Sequence, residues 1–247
     1  MKRTSYESKK TKALLKTRWE NKGKRPKTVV SLFIVSFIYI SIALTSCSTS
    51  NSECEFDRVY TEVLSKKVEY ENMPRSKWLE LPDSLKRAVY TVMKPEVKYN
   101  FWIEKMDETE KLEWTSDERA HVNLLREFIV KHPLLFEKGF LLDEKHLEEF
   151  NSFIDEWRIV SKEKFSWSNS MQYCIAAYGD VITDKMFKEL KDGATFNGVG
   201  NYCECSSYSD WCFSGTCNDK ERCSTDAVDG CGTFWLFRCN GKCNKKN

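Results

Sequence analysis

The sequence predicts a mainly α protein: a small all-helical domain followed by a small disulfide-rich C-terminal module with little regular secondary structure. Three observations point there. Residues 54–192 contain few glycines, many Glu, Lys and Leu, and apolar residues that recur at helical intervals. Eight cysteines, Cys203, Cys205, Cys212, Cys217, Cys223, Cys231, Cys239 and Cys243, crowd into a tail otherwise rich in Gly, Ser, Asp and aromatic side chains. Upstream of both lies an apolar run, residues 29–46, behind a basic arm. The chain therefore divides into a basic cytoplasmic arm (1–28), a signal peptide or membrane anchor (29–46), a polar tether (47–53), the helical domain (54–192), a glycine-containing linker (193–202) and the eight-cysteine module (203–247).

The arm carries eleven Lys and Arg against Glu7 and Glu20, and the run VVSLFIVSFIYISIALTS follows it. Eighteen residues at 1.5 Å each give about 27 Å of helix, close to the roughly 30 Å of a bilayer core, so length leaves open a cleaved signal and a single transmembrane helix. Leu44-Thr45-Ser46-Cys47 resembles the lipobox of bacterial lipoproteins, which implies cleavage before Cys47 and acylation of its thiol. By either route the positive arm stays in the cytoplasm. The bulk of the chain is then placed outside it, at the cell membrane or outer membrane. Residues 1–47 hold a net +9 of a chain whose total is +2, so the exported part carries −7. An acidic exported part argues against nucleic acid as a partner, because phosphate-binding domains present a basic face.

Within the helical domain, Phe56, Val59, Tyr60, Val63 and Leu64 mark a first amphipathic face. Leu85, Ala88, Val89 and Val92 mark a second, entered at Leu81-Pro82-Asp83. Lys94-Pro95-Glu96 starts a third with proline in the first turn, continuing through Val97, Phe101, Trp102 and Met106. Thr115 to Glu118 has the capping-box pattern and leads into Val122, Leu125, Phe128 and Ile129. Asp143 is placed to cap a longer helix with Leu147, Phe150, Ile154 and Trp157, and Thr183 a short one with Phe187 and Leu190. These make about six helices. Trp78, Trp102, Trp114 and Trp157 lie on or beside the apolar stripes and belong to the core rather than to a ligand cage.

Catalysis has little support, and the chain is read as not an enzyme. His121, His132 and His146 show no metal-ligand spacing and accompany no nucleophile motif. The acidic clusters read as solvated helix faces, and no phosphate loop or calcium loop is present, so no cofactor is expected.

The linker brings Gly193, Gly198 and Gly200, a composition change that marks a boundary and a natural place for cleavage, hence for release of the module. About forty residues cannot bury a sufficient core, so covalent staples or a metal must replace it. The cysteine order is C-x-C followed by gaps of six, four, five, seven, seven and three residues, without C-x-x-C or histidine. Zinc sites usually take two ligands from one tight turn, so the module is read as disulfide-bonded with no metal. Eight cysteines allow 105 pairings, so connectivity is open. Outside the module, Cys54 and Cys174 make a second even set: they pair with each other, or Cys174 is a buried free thiol.

In the module the ordered elements are Cys203-Glu-Cys205-Ser206, Asp210-Trp211-Cys212, Cys217, Cys223-Ser224, Gly230-Cys231-Gly232-Thr233-Phe234-Trp235 and Cys239-Asn240-Gly241. In that order they resemble the cysteine-rich tails of the bacteriocin fulvocin C-related protein family. One departure stands out: the resemblance implies a further cysteine just before Cys-Asn-Gly, where this chain has Phe237 and Arg238, while Cys243 follows it. At least one bridge is then expected to be rerouted. The resemblance implies an envelope-active antibacterial, bacteriocin-type peptide, here carried by an anchored precursor. Trp211, Phe213, Phe234, Trp235 and Phe237, with Asn240, are expected to form an exposed patch suited to a membrane interface. From Cys203 to Cys243 there are six acidic and four basic residues, so attraction to anionic lipid is missing and a target-cell receptor or insertion by the aromatics is needed. The competing reading is a non-toxic surface binding or structural lipoprotein whose stapled aromatic module recognises a protein or glycan.

Overall fold

The computed structural model describes residues 51–196, 205–212, 216–218 and 229–243, with side chains for all of them except 51–57 and 229. Among these, nine α-helices precede four very short strands. The helices are α1 (Asn51–Ser65), α2 (Lys67–Tyr70), α3 (Arg75–Leu79), α4 (Asp83–Val92), α5 (Pro95–Glu110), α6 (Ser116–Lys131), α7 (Glu144–Phe165), α8 (Asn169–Ala176) and α9 (Asp184–Lys191), with one 3₁₀ turn at Phe140–Leu142. The expected starts are where the sequence signals put them. Proline occupies the first turn of α5, and the Thr115 side chain accepts from the Glu118 amide while Glu118 reaches back to the Thr115 amide. Asp143 caps α7 through the amides of Lys145 and His146, and Thr183 caps α9 through that of Met186.

Three helices were not expected. The one that bears most on the site, α8, buries Ser170, Met171, Gln172, Cys174, Ile175 and Ala176. A segment buried on nearly every side shows no polar face and therefore no amphipathic signal. The short α3 buries Arg75 and Trp78 in one turn.

Strands β1 (Cys217–Asn218) and β4 (Lys242–Cys243) pair antiparallel, as do β2 (Asp229–Cys231) and β3 (Phe237–Arg238). The expected boundary between helical domain and module is not a physical one. Residues Ser46–Asn247 form one compact unit, and one hydrophobic core runs from Val63 through Trp78, Trp102, Leu125 and Trp157 to Trp211, Phe234, Trp235 and Phe237. The module contributes to the core of the helices because it has too little interior of its own to hide its large rings. Among the described residues, no helix is long and apolar enough to cross a membrane. The arm, the apolar run 29–46 and Cys47 lie outside the described residues.

Candidate functional site

Among the described residues, three disulfides brace the module: Cys205–Cys217, Cys212–Cys243 and Cys231–Cys239. Cys203, Cys223 and Phe213 lie outside the described residues, as does the side chain of Cys54. Backbone hydrogen bonds hold the first two bridges together. The Asp210 carboxylate accepts from the amides of Cys212 (2.8 Å) and Cys217 (2.9 Å), one cysteine from each bridge. The Cys205 carbonyl accepts from the amides of Asn240 (3.1 Å) and Gly241 (3.3 Å). Gly241 is required here: a Cβ would lie 2.6 Å from the Asn218 carbonyl oxygen and 2.8 Å from Cys217 Sγ.

The third bridge closes a loop that drives aromatic side chains into the helices. The expected exposed patch is corrected: Phe234 is fully buried, and Trp211, Trp235 and Phe237 are at most 8 % exposed. Phe234 and Trp235 adopt left-handed backbone conformations, φ 52° and 55°, which non-glycine residues hold only where surrounding packing enforces them. That packing is visible. Trp235 stands edge-on to Tyr90 at 5.0 Å and Trp78 at 5.8 Å, and its Nε1 donates to the Ala177 carbonyl (2.7 Å). Tyr90 Oη donates to the Phe234 carbonyl (3.0 Å) and receives a bond from Trp102 Nε1 (2.9 Å). Phe237 packs on Phe150, and the Arg87 guanidinium rests on the Cys231–Cys239 bridge, 3.8 and 3.9 Å from its sulfurs. Trp211 donates to Thr233 Oγ1 (3.0 Å) beneath the Arg158 guanidinium, which stands 4.4 Å from the ring centroid and donates to the Asp210 carbonyl.

The turn after α8 is where module and helices share partners. Arg75 Nη2 donates to the Gly179 carbonyl (3.0 Å), Lys105 Nζ to the Asp180 carbonyl (2.7 Å), and Lys86 pairs with the Asp180 carboxylate. Arg75 also pairs with Glu108 (2.5 Å). Burial, with the neighbouring Arg75 charge, pushes the Lys105 amine down to about 7. Cys174 beside it is a free buried thiol, pushed up to about 12 by burial, so the alternative of a Cys54–Cys174 bridge is not realised. Arg75 and Lys105 are buried at the centre of the cluster, and every backbone carbonyl named in it has a donor. It braces the turn instead of presenting reactive groups to solvent.

The histidines serve packing. His121 stacks on Trp157 with 4° between the planes, its Nε2 lying 3.0 Å from the Trp157 carbonyl oxygen, and burial lowers its pKa. His146 stacks on Phe140.

Among its described residues, the module presents a tight turn outward. Ser206 and Ser209 form a bridge, and between them Tyr208 is 69 % exposed. Asn240 is partly exposed and clamps that turn: its Oδ1 accepts from the Ser207 amide (2.9 Å) and its Nδ2 donates to Ser207 Oγ (2.8 Å). Tyr208 was passed over in the sequence, although Ser-Ser-Tyr-Ser-Asp is a turn-forming string and an aromatic at its tip has no core to enter. Arg75, Lys105, Arg87 and Arg158 were also missed, since a basic residue on a polar helix face carries no sign of the partner that buries it. Comparison with family models, with curated proteins and with solved structures gives no match.

Proposed function

We propose that this chain is an exported bacterial cell-envelope protein, anchored at a membrane through Cys47 or the 29–46 segment, that works as a surface binding or structural lipoprotein with its stapled module attached. The observation that carries this reading is the enclosure of Phe234 and Trp235 among Tyr90, Trp102 and Trp78. A buried aromatic hides about 150–250 Å². At about 25 cal/mol per Å², re-exposing one costs about 4–6 kcal/mol. A freed module would expose several at once and leave a hole in the helical core. The contact surface is the clamped Ser206–Ser209 turn, whose Tyr208 ring, Ser207 hydroxyl and Asn240 amide suit a glycan or a polar protein face. A rigid aromatic with adaptable polar neighbours gives contact area at low entropic cost.

The bacteriocin-type reading, supported by the cysteine-rich resemblance, needs the module free in the medium. Non-reducing mass spectrometry of envelope and culture medium separates the two. An envelope-bound chain beginning at acylated Cys47 with its tail intact is expected. A fragment in the medium beginning within 193–203 overturns the attached reading in favour of the peptide precursor.

A further inference from the structure

We propose that the module is also a soft-metal site in its reduced state: Cys205, Cys212, Cys217 and Cys243 then hold one Zn²⁺ or Cd²⁺ as a tetrathiolate. In the oxidised chain the sulfurs of Cys205, Cys212 and Cys243 already lie within 4.8 Å of one another, and Cys217 is bonded to the first of them. A tetrahedral zinc–thiolate site has Zn–S of about 2.3 Å, so its sulfurs stand about 3.8 Å apart. Three of the sulfurs thus stand no more than about an ångström beyond metal-site spacing, and the fourth, Cys217, is carried by the strand that faces Cys243.

Hydrogen bonds gather the same chain segments alongside the S–S bonds. Asp210 ties the amides of Cys212 and Cys217 to one carboxylate. The β1–β4 pairing sets Cys217 directly opposite Cys243, and the Cys205 backbone pairs with Gly241, two residues before Cys243. Cutting both bridges therefore leaves the four side chains gathered by hydrogen bonds from three chain segments. The spacing of these cysteines in sequence hides the site, because no two ligands come from one C-x-x-C turn. Reduction proceeds with a dithiol as donor. Each bridge takes two electrons and two protons, the dithiol becomes a disulfide, and four thiols result. Binding the dication releases four protons and leaves a complex of net charge −2. Because thiolates and not disulfides are metal ligands, the oxidised chain has no such affinity.

The test uses the full chain, reduced with excess dithiol, desalted without oxygen and titrated with Cd²⁺. The expected result is a thiolate-to-metal absorbance that saturates at one ion per chain. With the ion bound, Cys205, Cys212, Cys217 and Cys243 resist alkylation, while Cys231 and Cys239 are modified. Cys212→Ser and Cys243→Ser weaken binding at least tenfold, since outer partners of a metal ligand alone cost about 10–100-fold. The alkylation map of the unaltered chain decides the matter even if those variants fail to fold. Absence of a one-to-one end point, or protection that falls on Cys203 and Cys223 or on Cys231 and Cys239, overturns the site.

Discussion

Gly179 sits where even a methyl group would press on its neighbours. A Cβ there would meet the Trp235 and Trp78 rings at 3.1 Å and Phe101 at 3.3 Å, three aromatics that wedge one another. Gly179→Ala is expected to lower stability by about 1–3 kcal/mol, the usual cost of overpacking, read from denaturant midpoints with an unchanged slope. Lys105 makes a prediction about pH. Its amine is pushed down to about 7 in the fold, against an ordinary 10.5. Between these values the unfolded chain holds a proton that the folded chain lacks, so this group's contribution to stability rises with pH across that window and is level below it. Lys105→Met removes the dependence. Relative to the unaltered chain, the variant should gain steadily as pH falls from 10.5 to about 7, by an amount on the order of several kcal/mol. That gain is offset at every pH by the Asp180 carbonyl left without a donor, about 1–3 kcal/mol. Unfolding of both proteins in parallel from pH 6 to 10 measures the difference, and parallel curves would refute the assignment.

At the scale of elements, the capping box of α6 does more than start a helix. Glu118 accepts from the Thr115 amide and hydroxyl, from Trp167 Nε1 (3.0 Å) and from Lys191 at the end of α9. Burial opposes its charge, but bonds from Lys191, Trp167 and Thr115 outweigh burial and hold the carboxyl down to about 2. A depressed carboxylate adds stability above its unfolded pKa and loses it as pH falls through the folded one, so this tie should weaken between about pH 4.5 and 2. Glu118→Gln is expected to cost about 2 kcal/mol or more at neutral pH and to loosen α9 first. Hydrogen exchange over residues 184–191 checks the location. The capping motif was legible in Thr115 and Glu118, whereas the bonds from Trp167 and Lys191 come from residues 49 and 73 positions away. Local rules end where such long-range partners begin. For the same reason α8 escaped the sequence, since its burial on most sides erases the period that local patterning relies on.

At the scale of the molecule, helices and module share one core, so they should unfold together. None of the described disulfides crosses the linker. A protease nick within 193–202 should therefore leave two fragments that co-elute under non-reducing native conditions, held by the shared core in which Trp235, Phe234 and Phe237 pack on the helices. Trp235→Ala should cost about 3–5 kcal/mol and release the C-terminal fragment after the same nick. Separate unfolding transitions for helical signal and tryptophan environment, or fragments of the unaltered chain that part at once, would mean that the shared core is not what joins them.

The helix starts at Pro95, Thr115, Asp143 and Thr183, the apolar stripes behind them and the staple-dependent tail were all written in local order, because caps and periodicity act within one or two turns and because forty residues cannot hide a core. The destination of the tail's aromatics was decided by tertiary packing. The same Trp211, Phe234, Trp235 and Phe237 suit an exposed patch or a buried plug equally well in sequence. Only the cavity framed by Trp78, Tyr90, Trp102 and Phe150, residues more than eighty positions upstream of Phe234, selects burial. The gathering of Cys205, Cys212, Cys217 and Cys243 likewise arises from Asp210 and the β1–β4 pairing, contacts that spacing along the chain does not encode.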